Sequence, residues 1–370
     1  ESINESWLSD RDRYSHAGLN AEDRLSVPMI RRGEQWQEAS WSEAIAYAAE
    51  LIRAQSGDDV GVLVHPATSN EEGSLLAALA SGIGSGNLDH RISLADLTDA
   101  PVANVFEMPV AEVEQADVIV LIGSNPRHEA PLLGHRIRKA QRTHGAKVIA
   151  INPIDFDFNF DVAIKHILAP NALVDAVLNM GQAATLVATL RDAQRAVIIV
   201  GEAAQAHAQS SWLRRGAQVL ATAVGAKLNL LPIGANAIGL SAHGVLPSAR
   251  NAIDMLAQPR KAYVLYGIES AHDFADQPLA LRAFSQAEGV VALTAFADEV
   301  TRKIAKVMLP IGLTQEIDAS YTNVDGVTQS VVGAAKLPGQ ALAGWRVLRA
   351  LGEALNVKGF NFVDLPEYRA

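Results

Sequence analysis

Ala116-Asp117-Val118-Ile119-Val120-Leu121-Ile122-Gly123-Ser124-Asn125-Pro126-Arg127-His128-Glu129-Ala130-Pro131 decides the fold. The β-branched and aliphatic run reads as a buried strand, Gly-Ser-Asn-Pro as the turn that ends it, and residues 131–139 as the first turns of a helix. Strand, glycine turn and helix in that order mark an exit from an open α/β sheet. Such sheets bind ligands at these exits, because backbone N–H groups at a helix N-terminus face an anion there.

The same texture recurs on both sides. Further strands are expected at 60–64, 148–151, 197–200, 263–266 and 290–293, each separated by enough chain for a crossover helix. Continuous apolar strands alternating with Ala-rich helices mean parallel sheets covered on both faces. Ser40-Trp41-Ser42-Glu43 has the spacing of a capping box, and Ala44, Ile45, Ala48, Leu51 and Ile52 follow at helical spacing. Asn70-Glu71-Glu72 opens a small-residue helix through Ala80, which Ser81-Gly82-Ile83-Gly84-Ser85-Gly86-Asn87 ends. The first forty residues read as loop and hairpin, with strands at 29–32 and 35–38 turning at Gly33-Glu34. Val307-Met308-Leu309-Pro310 opens a last section. It holds a hairpin with Asp325-Gly326 at the turn and a closing amphipathic helix over 345–355.

The expected fold class is therefore α/β, with parallel sheets and a small β-rich N-terminal part; that its parallel-sheet domains are discontinuous is what the family resemblance given below implies. With that resemblance, the expected division pairs 1–40 with 311–370 as a β-containing part and 41–90 with 185–310 as one α/β domain. Residues 91–184 form the other.

Composition narrows the function. The chain has 370 residues, 49% of them hydrophobic and 19% charged, which is the make-up of a packed globular protein. A formal charge of −10 argues against a nucleic-acid partner and against an anionic membrane surface. Zero cysteine excludes disulfides, thiolate zinc sites and cysteine-held iron–sulfur clusters within these residues. No apolar run approaches the roughly 18–20 residues that span a bilayer. Glu1-Ser2-Ile3-Asn4-Glu5 lacks the basic start and apolar core of a signal peptide, and without an initiator Met, Glu1 reads as the cut end of a longer chain.

Candidate chemistry is sparse. No Walker A sequence, Gly-x-Ser-x-Gly elbow or His-Glu-x-x-His pair occurs. The alternate glycines of 81–86 can bring backbone close to a phosphate, but they follow a helix rather than a strand and read as a helix-ending turn. His128 and His135 share a helix face without a carboxylate at ligand spacing, which favours solvated side chains over a metal site. Lys261, Arg302, Lys303 and Lys306 read as ordinary surface. Asp155-Phe156-Asp157-Phe158-Asn159-Phe160-Asp161 reads as an extended loop packing its three rings on one side. Gly267-Ile268-Glu269-Ser270 repeats the Gly123 turn in kind, so two strand exits are candidates for a cleft.

Several segments together resemble one family. Ser124-Asn125-Pro126, Arg136-Ile137-Arg138-Lys139, Gly145-Ala146-Lys147-Val148-Ile149 and Ala305-Lys306-Val307-Met308-Leu309-Pro310 with Tyr321-Thr322-Asn323 resemble the molybdopterin oxidoreductases. A narrower resemblance is carried by Asn4-Glu5-Ser6-Trp7-Leu8-Ser9-Asp10, Asp23-Arg24-Leu25-Ser26-Val27-Pro28-Met29, Gly123 to Pro131 and Tyr321 to Gly326. These look like the large iron–sulfur subunits of respiratory complex I, the NADH-quinone oxidoreductase, over nearly the whole chain from Ile3 to about Leu355.

That resemblance implies a part of the subunit without a molybdenum cofactor. The 2Fe-2S and 4Fe-4S clusters that pass electrons from NADH toward quinone lie in cysteine-bearing N-terminal domains that precede it. It implies partners among the other subunits of the peripheral arm, and a peripheral location on the cytoplasmic face of the inner membrane without insertion into it. Counting forward from Gly86-Asn87-Leu88-Asp89-His90-Arg91 puts Ala95 at the position where the enzymes ligate molybdenum, and alanine has no donor atom. A one-residue slip would offer Asp96 instead. Ser9 stands where some of the complex I relatives carry a cysteine for an additional cluster. The expectation is no catalytic residue, no metal ligand and a vestigial cleft at Gly123, Ser124, Asn125, Asp89, Ala95 and Asn323, with Leu121, Leu132, Leu133 and Met308 as fillers. Two other readings stay open. One is an active molybdopterin-dependent oxidoreductase with a polar cleft near Ser124, Asp89 and Asn323; the other is a free-standing nucleotide-binding protein of the same fold.

Overall fold

The structure, a computed structural model, describes residues 5–369. The residues before Glu5, including Ile3 and Asn4 of the resemblance, lie outside the described part. In chain order β1 (Met29–Arg32) and β2 (Gln35–Glu38) form the expected hairpin, followed by β3 (Val60–Val64) and β4 (Leu88–Asp89). Next come β5 (Val118–Ile122), β6 (Lys147–Asn152), β7 (Ile164–Ile167), β8 (Ala196–Val200) and β9 (Lys227–Leu230). The last strands are β10 (Ala262–Tyr266), β11 (Gly289–Thr294), β12 (Val307–Pro310), β13 (Ala319–Thr322) and β14 (Thr328–Val331).

The chain divides into two compact units. One contains the described residues up to Ser15, Leu94–Ile233 and Asn323–Val327; the other contains His16–Ser93, Gly234–Thr322 and residues from Thr328 on. Two of the expected boundaries are thereby corrected. The segment from 185 to 233 joins 94–184, because β8 pairs in parallel with β5 from Val118↔Ala196 to Ile122↔Val200. The hairpin β1–β2 forms no separate β domain, because β1 pairs antiparallel with β12 and extends the larger sheet.

The first unit holds a five-stranded parallel sheet in the order β7-β6-β5-β8-β9. Its two central strands, β5 and β8, are apolar at every position because both faces are covered. Val118, Val120 and Ile122 pack with Leu173, Val177, Leu213 and Leu220 of the helices Pro170–Leu178 and Ser210–Val224. Ile119 and Leu121 pack with Leu133 and Ile137 of the helix Pro131–His144 on the opposite face. The connections from β5 run to one side through β6 and β7, and those from β8 run to the other, so the order reverses between β5 and β8. Ligands of doubly wound sheets bind outside the strand ends at such a point.

The second unit holds a seven-stranded sheet in the order β2-β1-β12-β11-β10-β3-β4, parallel from β12 to β4. Val60, Val62, Val64, Val264 and Leu309 pack on one face against the helices Trp41–Arg53, Asn70–Gly82 and Gly344–Ala354. Ser40 caps the first of these with its hydroxyl on the Glu43 N–H and the Glu43 carboxyl on the Ser40 N–H, as the spacing predicts. Here the order reverses between β3 and β10. No helix among the described residues is long and apolar enough to cross a membrane.

Candidate functional site

The exit from β5 is built by two glycines. Gly123 has φ +53°, and a Cβ there would stand 2.6 Å from Ala204 Cβ. At the neighbouring exit a Cβ on Gly201 would stand 2.3 Å from Ser124 Cβ. The two strand ends thus meet backbone to backbone at the point of reversal, with Ser124 fully buried between them.

What a ligand would use there is already engaged. Ser124 N–H donates to Asn152 Oδ1 at 2.8 Å, and Asn152 Nδ2 returns a bond to Ser124 O at 3.1 Å. Glu129, at the end of the short helix Pro126–Glu129, turns its carboxyl group back on the turn. It accepts from Ser124 Oγ at 2.9 Å and from Asn125 N–H at 2.7 Å. Burial raises the pKa of Glu129, against hydrogen bonds from Asn125, Ser124 and the Glu202 backbone that lower it, and the Glu202 charge adds a smaller rise. Asn125 Oδ1 is left buried without a hydrogen-bond partner.

The other residues expected around this cleft are committed elsewhere. Asn323 serves its own hairpin turn, its Oδ1 accepting from the N–H groups of Asp325 and Val327 at 3.0 and 2.9 Å. It also lines a cavity of about 230 Å³ in the first unit with Ser9, Glu129, Leu132 and Leu133. Ala95 is half-buried and belongs to the first unit. Asp96, the alternative ligand, accepts four bonds, from the N–H and hydroxyl of both Thr98 and Ser211. Burial would raise its pKa, but these four bonds outweigh burial and bring it down to about 2. Asp89 belongs to the second unit, where β4 carries it into a buried pair with Arg91 at 2.8 and 2.9 Å, and it also accepts from Ala252 N–H. Of the fillers, Leu121, Leu133 and Met308 are core residues and Leu132 is half-buried.

Ser9 caps the helix Asp10–Tyr14 by accepting from Asp12 N–H at 3.1 Å. His128 is exposed, and His135 faces Glu5 at 3.3 Å and the Trp7 ring at 5.6 Å. Phe156, Phe158 and Phe160 lie on one side of their loop, as the alternation predicts, and the last two stack at 5.2 Å.

The exit of the second sheet was only half legible. Gly267 has φ +67° and follows β10 as the Gly123 turn follows β5. Around it lies a cavity of about 210 Å³ lined by His65, Glu72, Tyr266, Glu269, Phe296 and Tyr321 among others. Glu72 and Tyr321 carried no signal in the sequence that placed them there. They come from the N-terminal turn of a helix and from a hairpin about 250 residues later.

One unit holds a doubly wound five-stranded sheet and the other a mostly parallel seven-stranded sheet, each built from segments that alternate along the chain. The chain belongs to the molybdopterin oxidoreductase family, whose sequence profile matches residues 24–354. Among curated relatives it is 28% identical over 378 aligned positions to the mitochondrial NADH-ubiquinone oxidoreductase 78 kDa subunit of Neurospora crassa. That alignment covers 97% of this chain and 47% of the relative. It is 27% identical to the mitochondrial NADH dehydrogenase [ubiquinone] iron-sulfur protein 1 of Solanum tuberosum, over 96% of this chain and 47% of that protein. The chain therefore spans about half the length of the curated relatives it matches. Among solved structures, acetylene hydratase from Pelobacter acetylenicus superposes with a TM-score of 0.73 at 14% identity, covering 96% of this chain and 64% of that one. This likeness is one of fold.

The family's name implies a molybdopterin group, and the residues at the β5 exit do not fit it. Ala95 supplies no donor, Asp96 has its oxygens filled, and the Ser124 and Asn125 donors are taken by Asn152 and Glu129.

Proposed function

We propose that this chain is a non-catalytic bracing region of a complex I subunit of the large iron–sulfur type. The subunit carries electrons from NADH toward quinone through clusters in other domains, and this region holds the peripheral arm together without handling electrons. Its partners are the neighbouring subunits of that arm, at the inner-membrane surface. The single observation that supports this most is Glu129 in the turn after β5, where a side chain of the protein takes the donors an anionic ligand would need. The relatives at 27–28% identity point to the same complex.

The test is removal of residues 24–354 from the full-length subunit, followed by native electrophoresis and NADH-quinone assays. A bracing role predicts less assembled complex, with unchanged turnover in whatever assembles. Normal assembly with lost turnover contradicts it.

A further inference from the structure

An open sheet edge is a row of unpaired N–H and C=O groups, and among the described residues every edge but one is guarded. β7 carries Lys165, β2 follows Glu34 and ends on Glu38, and β4 is two residues long. β9 is capped from the side: Leu228 N–H donates to Glu107 Oε2 at 2.9 Å, and the Asn229 amide exchanges bonds with the Met108 backbone at 3.1 and 2.8 Å. In the two-stranded sheet, β13 spends its outer N–H groups on side chains. Ser320 donates to Glu71 Oε2 at 2.9 Å and Thr322 to Asn236 Oδ1 at 2.7 Å.

β14 is the exception. Residues opposed in an antiparallel pair exchange both backbone bonds or neither. Ser320 and Thr322 turn their N–H groups away from β14, so their opposites Ser330 and Thr328 turn theirs away from β13, to the open side. Among the described residues nothing bonds those N–H or C=O groups. Thr328, Gln329 and Ser330 are exposed, Val332 is 79% exposed, and 326–335 contains neither a charge nor a proline. Two strands alone make a marginal sheet, which a third would complete. Thr328 and Ser330 also line a cavity of about 500 Å³ with Ser74 and His243 among others. Its carboxylate and guanidinium, Glu71 and Arg369, are paired with each other at 2.6 and 2.8 Å, so the wall offers hydroxyls and an imidazole rather than an unpaired carboxylate or guanidinium.

We propose that β14 is a strand-addition site for an extended, uncharged segment of a neighbouring subunit, whose main chain bonds Thr328 and Ser330 and whose side chains on the cavity face are small and polar. A charged side chain there would lose water without gaining a counter-charge. The proposal rests on the bracing role, which supplies the neighbouring subunits, and it names one place where the bracing contact is made.

The test uses the full-length subunit, free and in its complex. Backbone hydrogen exchange resolved by residue should slow at least about tenfold at Thr328 and Ser330 on assembly, while Gln329 and Val331, which bond β13 in both states, change little. Ser330→Pro removes an N–H that the hairpin does not use, so the free subunit should melt unchanged while the complex loses the protection at Thr328. Ser330→Thr, which keeps the N–H, should behave as the parent does. Val332→benzoylphenylalanine, irradiated in the complex, should cross-link to one extended segment of a neighbouring subunit. Equal exchange at Thr328 and Ser330 in both states overturns the proposal, as does cross-linking to a second copy of this chain. An uncovered edge in a complex that still fails to assemble without residues 24–354 overturns the strand contact alone and leaves the bracing role standing.

Discussion

Glu129 accepts the hydroxyl hydrogen of Ser124, five residues earlier in the chain, at 2.9 Å. With its second oxygen on Asn125 N–H, it makes the turn after β5 a closed hydrogen-bonded loop.

Glu129→Ala should therefore destabilise the five-stranded unit by about 1–2 kcal/mol, as removal of a helix-end cap does, read from urea unfolding. The pH sign is opposite to that of an ordinary salt-bridged acid. Because the folded-state pKa of Glu129 is raised, its contribution is full below the ordinary carboxylate range and is lost as pH rises through the raised value. Glu129→Gln should flatten that limb of the stability profile. An unchanged profile would mean that the carboxyl group is not buried as described.

Asp96 works in the other direction. With its pKa brought down to about 2 by Ser211 and Thr98, its contribution is present above the unfolded value near 3.8 and disappears as pH falls toward 2. Asp96→Asn should lower stability at pH 7 and reduce the loss between pH 4 and pH 2. Equal acid limbs in variant and parent would contradict the four-bond arrangement.

Gly201→Ala places a methyl group 2.3 Å from Ser124 Cβ and 2.5 Å from its Cα. Backbone on a neighbouring strand end cannot swing aside as a side-chain tip can, so the cost should be about 1–3 kcal/mol or more. Gly145→Ala is an informative companion. Its Cβ meets nothing within 4 Å, and only its φ of +72° opposes it. The two variants, compared by urea unfolding, should separate overpacking from backbone strain, with Gly201→Ala the more damaging.

Asp89→Ala leaves the Arg91 guanidinium buried without its two-pronged partner and should cost about 3–5 kcal/mol. Replacing both by leucine should recover much of this, because the buried charge is removed with its partner. A double variant as unstable as the single one would show that the Ala252 N–H bond, rather than the charge pair, is what Asp89 supplies.

Most of the regular structure was written locally. Ser40 and Glu43 announce a helix start, and the unbroken apolar runs of β5, β8 and β10 announce strands covered on both faces. What local pattern cannot carry is which strand lies beside which. The boundary at 184/185 failed because β8 pairs with β5, about 78 residues away, while the intervening β6 and β7 occupy the other side. β4 escaped notice since two residues, Leu88 and Asp89, are too few to show a period. At the site, Gly123 was legible as a turn, but Glu129 was not, because a carboxyl group folding back on its own turn leaves no spacing signature. The cavity beside Gly267 was hidden for a stronger reason: Glu72, Tyr266 and Tyr321 meet only after the whole second sheet is assembled.

The central claim is that the inherited ligand position is filled by the protein itself, and elemental analysis of the intact, full-length subunit in its complex tests it most directly. Molybdenum and tungsten should both fall far below one atom per chain, with no pterin released on denaturation. One atom of either metal per chain, together with stoichiometric pterin, would contradict the account.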